Sequence, residues 1–297
     1  MMCNPDSGAC DLPGIHNDVG RIDLCPTQKP IKIEYFTDPI CSSCWGIEPQ
    51  LRRLKLEYSH VAALEYRMGG LLPSWDIYDR GGISKPSDVA YHWDEVSVHY
   101  DMPIDGDIWL EDPLSSSYPP SIAFKAAQMQ DKLLALRFLR RIREMVFLEK
   151  KNITKWEYLE KAALEVGLDA QKLKSDFEGP AQQAFKNDLA LGQTLGVRGF
   201  PSFYISNQNN QSVTFFGARS YAEFEQTLQA MAPDISKKIY ENTPDALFSI
   251  YPTFTTREFG LLSGLQRPEA ENLLKTLFEA EKVDMMVTKN GVLWKKK

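Results

Sequence analysis

Two cysteines three positions apart, Cys41 and Cys44, are the residues of this 297-residue chain best suited to chemistry. They lie in the stretch IEYFTDPICSSCWGIEPQLRRL, residues 33–54, between a short apolar run and a helical pattern. A Cys-X-X-Cys pair can be a redox couple, one half of a metal site, or two unrelated buried thiols. The spacing alone leaves these three interpretations open.

The elements predicted around the pair favour redox chemistry. Residues 31–37 are rich in β-branched and aromatic side chains, which predicts a strand, and residues 45–58 repeat apolar side chains every three or four positions, which predicts a helix. Cys41 would lie at the helix start, where unpaired backbone N–H groups and the helix dipole stabilise a thiolate. Cys44, one turn later, could attack a mixed disulfide on Cys41. We therefore predict Cys41 as the nucleophile and Cys44 as the resolving thiol.

A second motif, GVRGFPSF at residues 196–203, places a proline directly before a predicted strand. A proline that opens the third strand of a thioredoxin fold typically follows a cis peptide bond, so we predict one between Phe200 and Pro201. The bond would turn the backbone of Phe200 outward beside the nucleophile, as a surface for strand addition by an extended substrate. Gly199, Phe200 and Trp45 are the candidate substrate contacts, although both aromatic residues could equally serve only to pack.

The order of the elements that must position these motifs predicts an α/β protein, a thioredoxin fold with an inserted helical domain. The further predicted segments are a strand at 61–68, helices at about 120–149, 154–166 and 180–195, strands at 201–206 and 212–217, and a helix at 220–231. The connector 69–120 holds Trp75, Trp93 and Trp109, so we expect it to pack as loops and short helices.

The predicted domains follow from this order. They are an irregular cysteine-containing arm (1–29), a thioredoxin domain (30–68 and 196–232), the inserted helical domain (69–195) and a winged-helix-like C-terminal module (246–297). In the last of these, two helices precede a hairpin that is marked by Asn290 and Gly291.

The C-terminal module raises the question of DNA binding. Residues 246–297 contain eight Lys and Arg against six Asp and Glu, and the candidate recognition helix carries four acidic residues. Carboxylates on an element that faces the DNA groove would repel phosphate. We therefore expect this module to dock a client or to form a homodimer, and not to bind nucleic acid.

The N-terminal arm contains Cys3, Cys10, His16 and Cys25. These ligand types suit zinc, but their spacings of seven, six and nine match no established zinc pattern. Exposed thiols without a role and a redox relay or regulatory disulfide are the other interpretations. The rest of the sequence predicts no metal site and no organic cofactor.

Composition narrows the class of protein. The net charge of −6 argues against bulk nucleic-acid binding. No stretch approaches the roughly 18 to 20 apolar residues of a membrane span, and the first 20 residues lack the basic start and apolar core of a signal peptide. We therefore expect a cytoplasmic protein without a membrane partner. Structural disulfides are rare in the cytoplasm, which favours a catalytic or metal-binding role for the Cys-X-X-Cys pair.

The segments FTDPICSSCWGIEPQL and GVRGFPSFYI, together with the helical insertion, resemble the DsbA-like family of the thioredoxin superfamily. The resemblance covers about residues 31–231 and is strongest to the bacterial, cytoplasmic FrnE-like and YjbH-like branch. It implies that Cys41 is the nucleophile, Cys44 the resolving cysteine and Pro201 the cis-proline. A buried acid near the dithiol often accepts a proton in such folds, and Glu34 is the candidate here.

The resemblance implies a cytoplasmic thiol-disulfide oxidoreductase that exchanges or isomerises disulfides of proteins or peptides. The alternative is an adaptor of the YjbH type, which presents a client protein for proteolysis. A third possibility is a glutathione-dependent isomerase or transferase relative, in which a serine would be more typical than Cys41.

Overall fold

The centre of the molecule is a four-stranded mixed sheet. The computed structural model describes residues 2–3, 10–11, 29–78 and 83–297. The sheet strands are β3 (Ile31–Thr37), β4 (Ala62–Met68), β5 (Ser202–Asn207) and β6 (Ser212–Phe216), which follow a short N-terminal antiparallel pair, β1 (Met2–Cys3) and β2 (Cys10–Asp11). Their order is β4-β3-β5-β6, with β3 parallel to β4 and the other pairs antiparallel. All four predicted strands are confirmed to within two residues.

Strand β3 forms the spine of this sheet because it is covered on both faces. Ile31, Ile33 and Tyr35 are fully buried on one face, and Phe36 is buried on the other. A central strand with both faces covered takes β-branched and aromatic residues, which explains the composition IKIEYFT. The strand ends at Thr37, and the chain then reaches the dithiol within four residues.

The predicted helix at 45–58 is two helices, α1 (Ser42–Gly46) and α2 (Glu48–Tyr58). The break falls at Ile47, directly before the first turn of α2, which contains Pro49. Proline has no N–H to donate to the carbonyl of Trp45, so one continuous helix cannot form through this point. The single-helix prediction is therefore wrong at its start, and the cysteines lie on a short helix of their own.

Helices make up most of the inserted region that the structure describes. Its helices are α3 (Pro86–Tyr100), α4 (Ile108–Glu111), α5 (Tyr118–Gln130), α6 (Lys132–Leu148), α7 (Trp156–Glu165), α8 (Ala170–Glu178) and α9 (Pro180–Thr194). The predicted segment at 120–149 is divided at Asp131, whose carboxylate caps α6 by accepting from the N–H groups of Leu133 and Leu134. The connector 69–120 contains the 15-residue helix α3 as well as loops. Helix α8 was not predicted.

Three tryptophans join the insertion to the sheet. The rings of Trp93 and Trp109 meet edge to face at 5.2 Å, those of Trp75 and Trp109 at 5.9 Å, and Trp93 also packs against Phe147 at 4.7 Å. The three tryptophans and Phe147 belong to or pack against one hydrophobic cluster that includes residues of the sheet. The expectation that the connector packs against the protein is confirmed.

Helix α10 (Tyr221–Met231) completes the thioredoxin fold, and a C-terminal module follows it. The module consists of α11 (Pro244–Ile250), β7 (Thr253–Thr255), α12 (Thr256–Ser263), α13 (Arg267–Glu279), β8 (Val283–Thr288) and β9 (Gly291–Lys296). Its sheet order is β7-β9-β8. The order helix-strand-helix-helix-hairpin is that of a winged helix; α11 and β7 were not predicted. The fold class is confirmed, and the exact division into domains remains a proposal.

Ion pairs fasten the C-terminal module to the rest of the protein. Glu258, which is fully buried, pairs with Arg52 at 3.3 Å and with Arg140 at 2.7 Å. The hairpin turn is held by Lys289, whose ammonium lies 2.7 Å from carboxylates of Asp94 and Asp107 in the insertion. Within the described parts of the chain, no helix is both long and apolar enough to cross a membrane.

Candidate active site

Cys41 caps the short helix α1, and its sulfur accepts a hydrogen bond from the N–H of Cys44 at 3.1 Å. The two cysteines are joined as a disulfide with their Cα atoms 5.2 Å apart. Cys41 is 4% exposed and Cys44 is fully buried. The helix start therefore leaves Cys41 slightly accessible and keeps Cys44 buried. The arrangement can support attack at Cys41 and resolution by Cys44.

The turn that leads into Cys41 is held by Asp38. The N–H of Cys41 donates to the Asp38 carbonyl at 3.2 Å, and the Asp38 carboxylate accepts from the N–H of Ile40 at 3.0 Å. The same carboxylate accepts from the N–H of Leu71 and the hydroxyl of Ser117, both at 2.7 Å. Burial raises the pKa of Asp38 to about 6, although these hydrogen bonds oppose the shift.

Arg143, from helix α6, connects the insertion to the same turn. It donates to the Thr37 hydroxyl at 2.6 Å and to the Asp38 carbonyl at 3.2 Å, and it pairs with Glu48 at 3.2 Å. Burial by itself would raise the pKa of Glu48, but Lys55 and Arg143 hold it below its usual value. This guanidinium therefore fixes the end of β3 relative to the start of α2, on either side of the dithiol.

The predicted cis peptide bond between Phe200 and Pro201 is confirmed. The Pro201 carbonyl accepts from the N–H of Gly217 at 2.8 Å, and the Gly199 carbonyl accepts from the Ser202 hydroxyl at 2.7 Å. Among the described residues, the backbone N–H and C=O of Phe200 form no hydrogen bond. The backbone of Phe200 is thus available to an extended segment, whereas the carbonyl of Gly199 is already engaged.

Cys41 and Phe200 line a common apolar cavity of about 160 Å³. Its remaining walls are aliphatic and aromatic for the most part, and include Ile40, Leu72, Trp75, Trp93 and Trp109 together with His92. We call this cavity the dithiol groove. A larger cavity of about 650 Å³ adjoins it, because Leu71, Tyr78 and Phe200 line both. The dithiol therefore opens onto a continuous lining that is shared by the two cavities.

Trp45 does not contact this groove. It is fully buried, its indole N–H donates to the Pro103 carbonyl at 3.0 Å, and its ring stacks on Phe147 at 5.5 Å with Arg140 over it at 4.3 Å. The predicted role of Trp45 in substrate contact is corrected on this ground. Its side chain points into the interface between α1 and the insertion, where it supports the dithiol helix.

The surroundings of Glu34 do not suit the proton-acceptor role that was predicted for it. Its carboxylate pairs with Arg67 at 2.7 Å and Lys32 at 2.5 Å, on the sheet. Burial would raise the pKa of Glu34, but the hydrogen bonds from Arg67 and Lys32 hold it below its ordinary value. A carboxylate paired with two cations is a poor proton acceptor, and Asp38 is the buried acid that contacts the dithiol turn.

The Asp-Pro pair before Cys41 marked the position of Asp38 in the sequence, whereas nothing in the sequence pointed to Arg143 or Ser117.

The candidate zinc ligands of the N-terminal arm fall largely outside the described residues. The register of β1 and β2 pairs Cys3 with Cys10 along the backbone, while His16 and Cys25 lie outside. In the part of the chain that the structure describes, no group of three or more His, Cys, Asp or Glu could hold a metal ion. A zinc site in the arm remains a prediction.

Known proteins are similar to this chain in sequence and in fold. A family model described as Thioredoxin matches residues 35–226. The chain is 32% identical to the ClpXP adapter protein SpxH of Halalkalibacterium halodurans, over 99% of this chain and 96% of that one, and 31% identical to the ClpXP adapter protein SpxH of Bacillus subtilis, over 90% of each. The cytosolic disulfide reductase DsbM from Pseudomonas aeruginosa is similar in structure, with a TM-score of 0.54, 21% identity, and coverage of 67% of this chain and 99% of that one. At that identity the structural likeness establishes the fold alone.

Proposed function

We propose that this chain, which belongs to the DsbA-like family of the thioredoxin superfamily, is an adapter that binds a client protein and presents it to the ClpXP protease. The observation that carries the proposal is the extent of the similarity. The span shared with a ClpXP adapter protein covers 99% of the chain, so it includes the C-terminal module, whereas the thioredoxin family model ends at residue 226. The disulfide reductase of similar fold has no counterpart for a third of this chain. The proposed place of action is the cytoplasm.

The dithiol groove is the surface that we assign to the client. Its walls are apolar and aromatic, which suits the burial of side chains from an extended segment. The free backbone groups of Phe200 offer that segment strand-like hydrogen bonds. Binding of this kind needs no turnover at the cysteines, so the groove supports an adapter as well as an enzyme.

Protein turnover in cells tests the adapter proposal. Clients should accumulate in cells that lack this protein, and the same proteins should accumulate in cells that lack ClpX. Quantitative proteomics of the two deletion strains, with the wild-type gene restored as a control, measures the overlap. Two unrelated sets of stabilised proteins would contradict the proposal.

Thiol-disulfide exchange is the second candidate function, and the hydrogen bond from Cys44 N–H to the Cys41 sulfur favours it. In this reaction the Cys41 thiolate attacks a client disulfide, forms a mixed disulfide and releases one client thiolate. The Cys44 thiolate then attacks the Cys41 sulfur and releases the second client thiolate. The client is reduced and the Cys41–Cys44 pair is oxidised, and a dithiol reductant must restore the pair for another cycle.

Insulin reduction with dithiothreitol tests this second function. Wild-type protein should accelerate the reduction, Cys41→Ser should not, and Cys44→Ser should accumulate a mixed disulfide. If the wild type does not accelerate the reaction, the exchange function is rejected while the adapter proposal stands. If exchange occurs but no protein is stabilised in the deletion strain, the adapter proposal is rejected while the exchange function stands.

A further inference from the structure

A cavity of about 730 Å³ lies where helix α6 of the insertion meets the C-terminal module. Its walls come from α2, α6, the end of α7, the chain from α11 to β7, and β9. Its volume is within the range of about 300–1,000 Å³ that is usual for ligand sites. We call it the junction groove. It shares no lining residue with the dithiol groove and is therefore a separate place on the protein.

The junction groove has a surplus of positive charge. Its three lining carboxylates are already paired with arginines, in the pairs Glu48–Arg143, Glu144–Arg140 and Glu165–Arg141. Three further lining cations, Arg137, Lys295 and Lys296, form no ion pair with any described residue, whereas the ammonium of Lys55, also in the lining, lies 4.9 Å from the centre of the Tyr66 ring. The protein as a whole has a net charge of −6, so this surplus is local. Unpaired cations at the wall of a cavity attract a ligand of opposite charge.

Apolar side chains lie between these cations. Leu133 is 72% exposed and Ile250 is 45% exposed, although both line the cavity. Leu136 and Val166 continue the same wall and are only half-buried. A ligand that satisfied the cations alone would leave this apolar surface in water, so the favoured ligand has an apolar group as well as negative charges.

We propose that the junction groove binds an acidic peptide segment of a partner protein, anchored by an aliphatic or aromatic side chain. The unpaired cations lie on α6 and β9, two separate elements of the groove wall, and so suit carboxylates spaced along a peptide. Nucleic acid is the less favoured ligand, because its phosphates would leave Leu133 and Ile250 uncovered. The proposal goes beyond the proposed function, because it involves neither cysteine and holds for an adapter or an enzyme.

Peptide binding by the full-length protein tests the proposal. The probe is a fluorescein-labelled peptide that alternates Glu or Asp with Leu and Phe, and the control probe replaces each acid by its amide. Fluorescence anisotropy should show saturable binding of the acidic probe alone. The double variant Arg137→Glu/Lys295→Glu should weaken that binding by about tenfold or more. The matched control is Lys186→Glu/Lys282→Glu, which changes the net charge equally at exposed sites outside the groove and should bind like the wild type.

A second variant protects the test against misfolding. Leu133→Ser removes apolar surface from a side chain that is already exposed, so the fold should persist while the affinity for the acidic probe falls. The proposal is overturned if the acidic probe does not bind, if both charge-reversal variants weaken binding equally, or if a DNA duplex displaces the probe as effectively as unlabelled acidic peptide does. Insulin reduction by the same variants should be unchanged, which separates this site from the dithiol groove.

Discussion

At the residue scale, the two cysteines differ in access. Cys41 caps α1, retains slight exposure and lines the dithiol groove, whereas Cys44 is fully buried. In the reduced protein, iodoacetamide should therefore alkylate Cys41 faster than Cys44, by at least about tenfold. Mass spectrometry of timed samples measures both rates. Cys41→Ser is the control and should leave only the slow reaction; equal rates at the two thiols would contradict the assignment.

Asp38 makes the free energy of unfolding depend on pH. Burial raises its pKa to about 6 in the folded protein, from an ordinary value of 3.8. Between these values the folded protein holds a proton that the unfolded chain has released. The resulting stabilisation is complete below about pH 4 and is lost as the pH rises through about 6, a change of about 3 kcal/mol.

The variant Asp38→Asn should lack this contribution. Urea unfolding measures the free energy of unfolding of both proteins. As the pH rises from about 4 to 6, the wild type should lose stability relative to the variant. Asp76→Asn, at an exposed position, is the control and should follow the wild type at every pH. A constant difference between wild type and Asp38→Asn would show that Asp38 does not titrate in this range.

At the scale of single elements, helix α6 supports the dithiol through one buried cation. Arg143 is 1% exposed, and Arg143→Met would leave the buried carboxylate of Glu48 without this partner. We expect a loss of about 3–5 kcal/mol in the free energy of unfolding. Adding Glu48→Gln should recover part of it. Thermal unfolding measures the loss in Arg143→Met and its recovery in the double variant. The control is Arg137→Met, on the exposed face of α6, which should have little effect on the midpoint. An unchanged midpoint for Arg143→Met would refute the role.

The sequence predicts the existence and type of most elements but not their interruptions. A composition rich in β-branched and aromatic residues and a period of two located the four strands of the sheet to within two residues. The break before Pro49 and the cap at Asp131 depend on single residues inside otherwise helical patterns, which periodicity averages over. Helix α3 was predicted only as part of a loop-rich connector. The burial of Trp45 could not be predicted, because its partners Pro103 and Phe147 lie far away in the chain.

At the scale of the whole molecule, the C-terminal module is a fixed part of the structure. Glu258 is fully buried between Arg52 and Arg140, and it also accepts from the N–H of Thr255 at the start of α12. Glu258→Ala would leave two arginines partly unpaired and remove a helix cap, at a cost of about 3–5 kcal/mol. Limited proteolysis should then cut the connection 232–243 faster than in the wild type. Glu279→Ala, at an exposed site, is the control, and equal cutting rates would contradict this role.

The contacts that join the units were beyond prediction from the sequence. The motifs at Cys41 and Pro201 predicted one site because each depends on a few neighbouring residues and a common fold. The pair of Arg52 with Glu258 and the walls of the junction groove, which include Glu48 and Lys296, unite segments far apart in the chain, and no local pattern marks them.

Client delivery to ClpXP is the central claim, and a reconstituted degradation reaction tests it most directly. A protein that accumulates in both deletion strains is purified and incubated with ClpXP and ATP, with or without this protein. We expect degradation to be at least about tenfold faster in its presence. Phe200→Ala removes an aromatic side chain from the wall of the dithiol groove and should abolish the acceleration. Equal degradation rates with and without the protein would contradict the account.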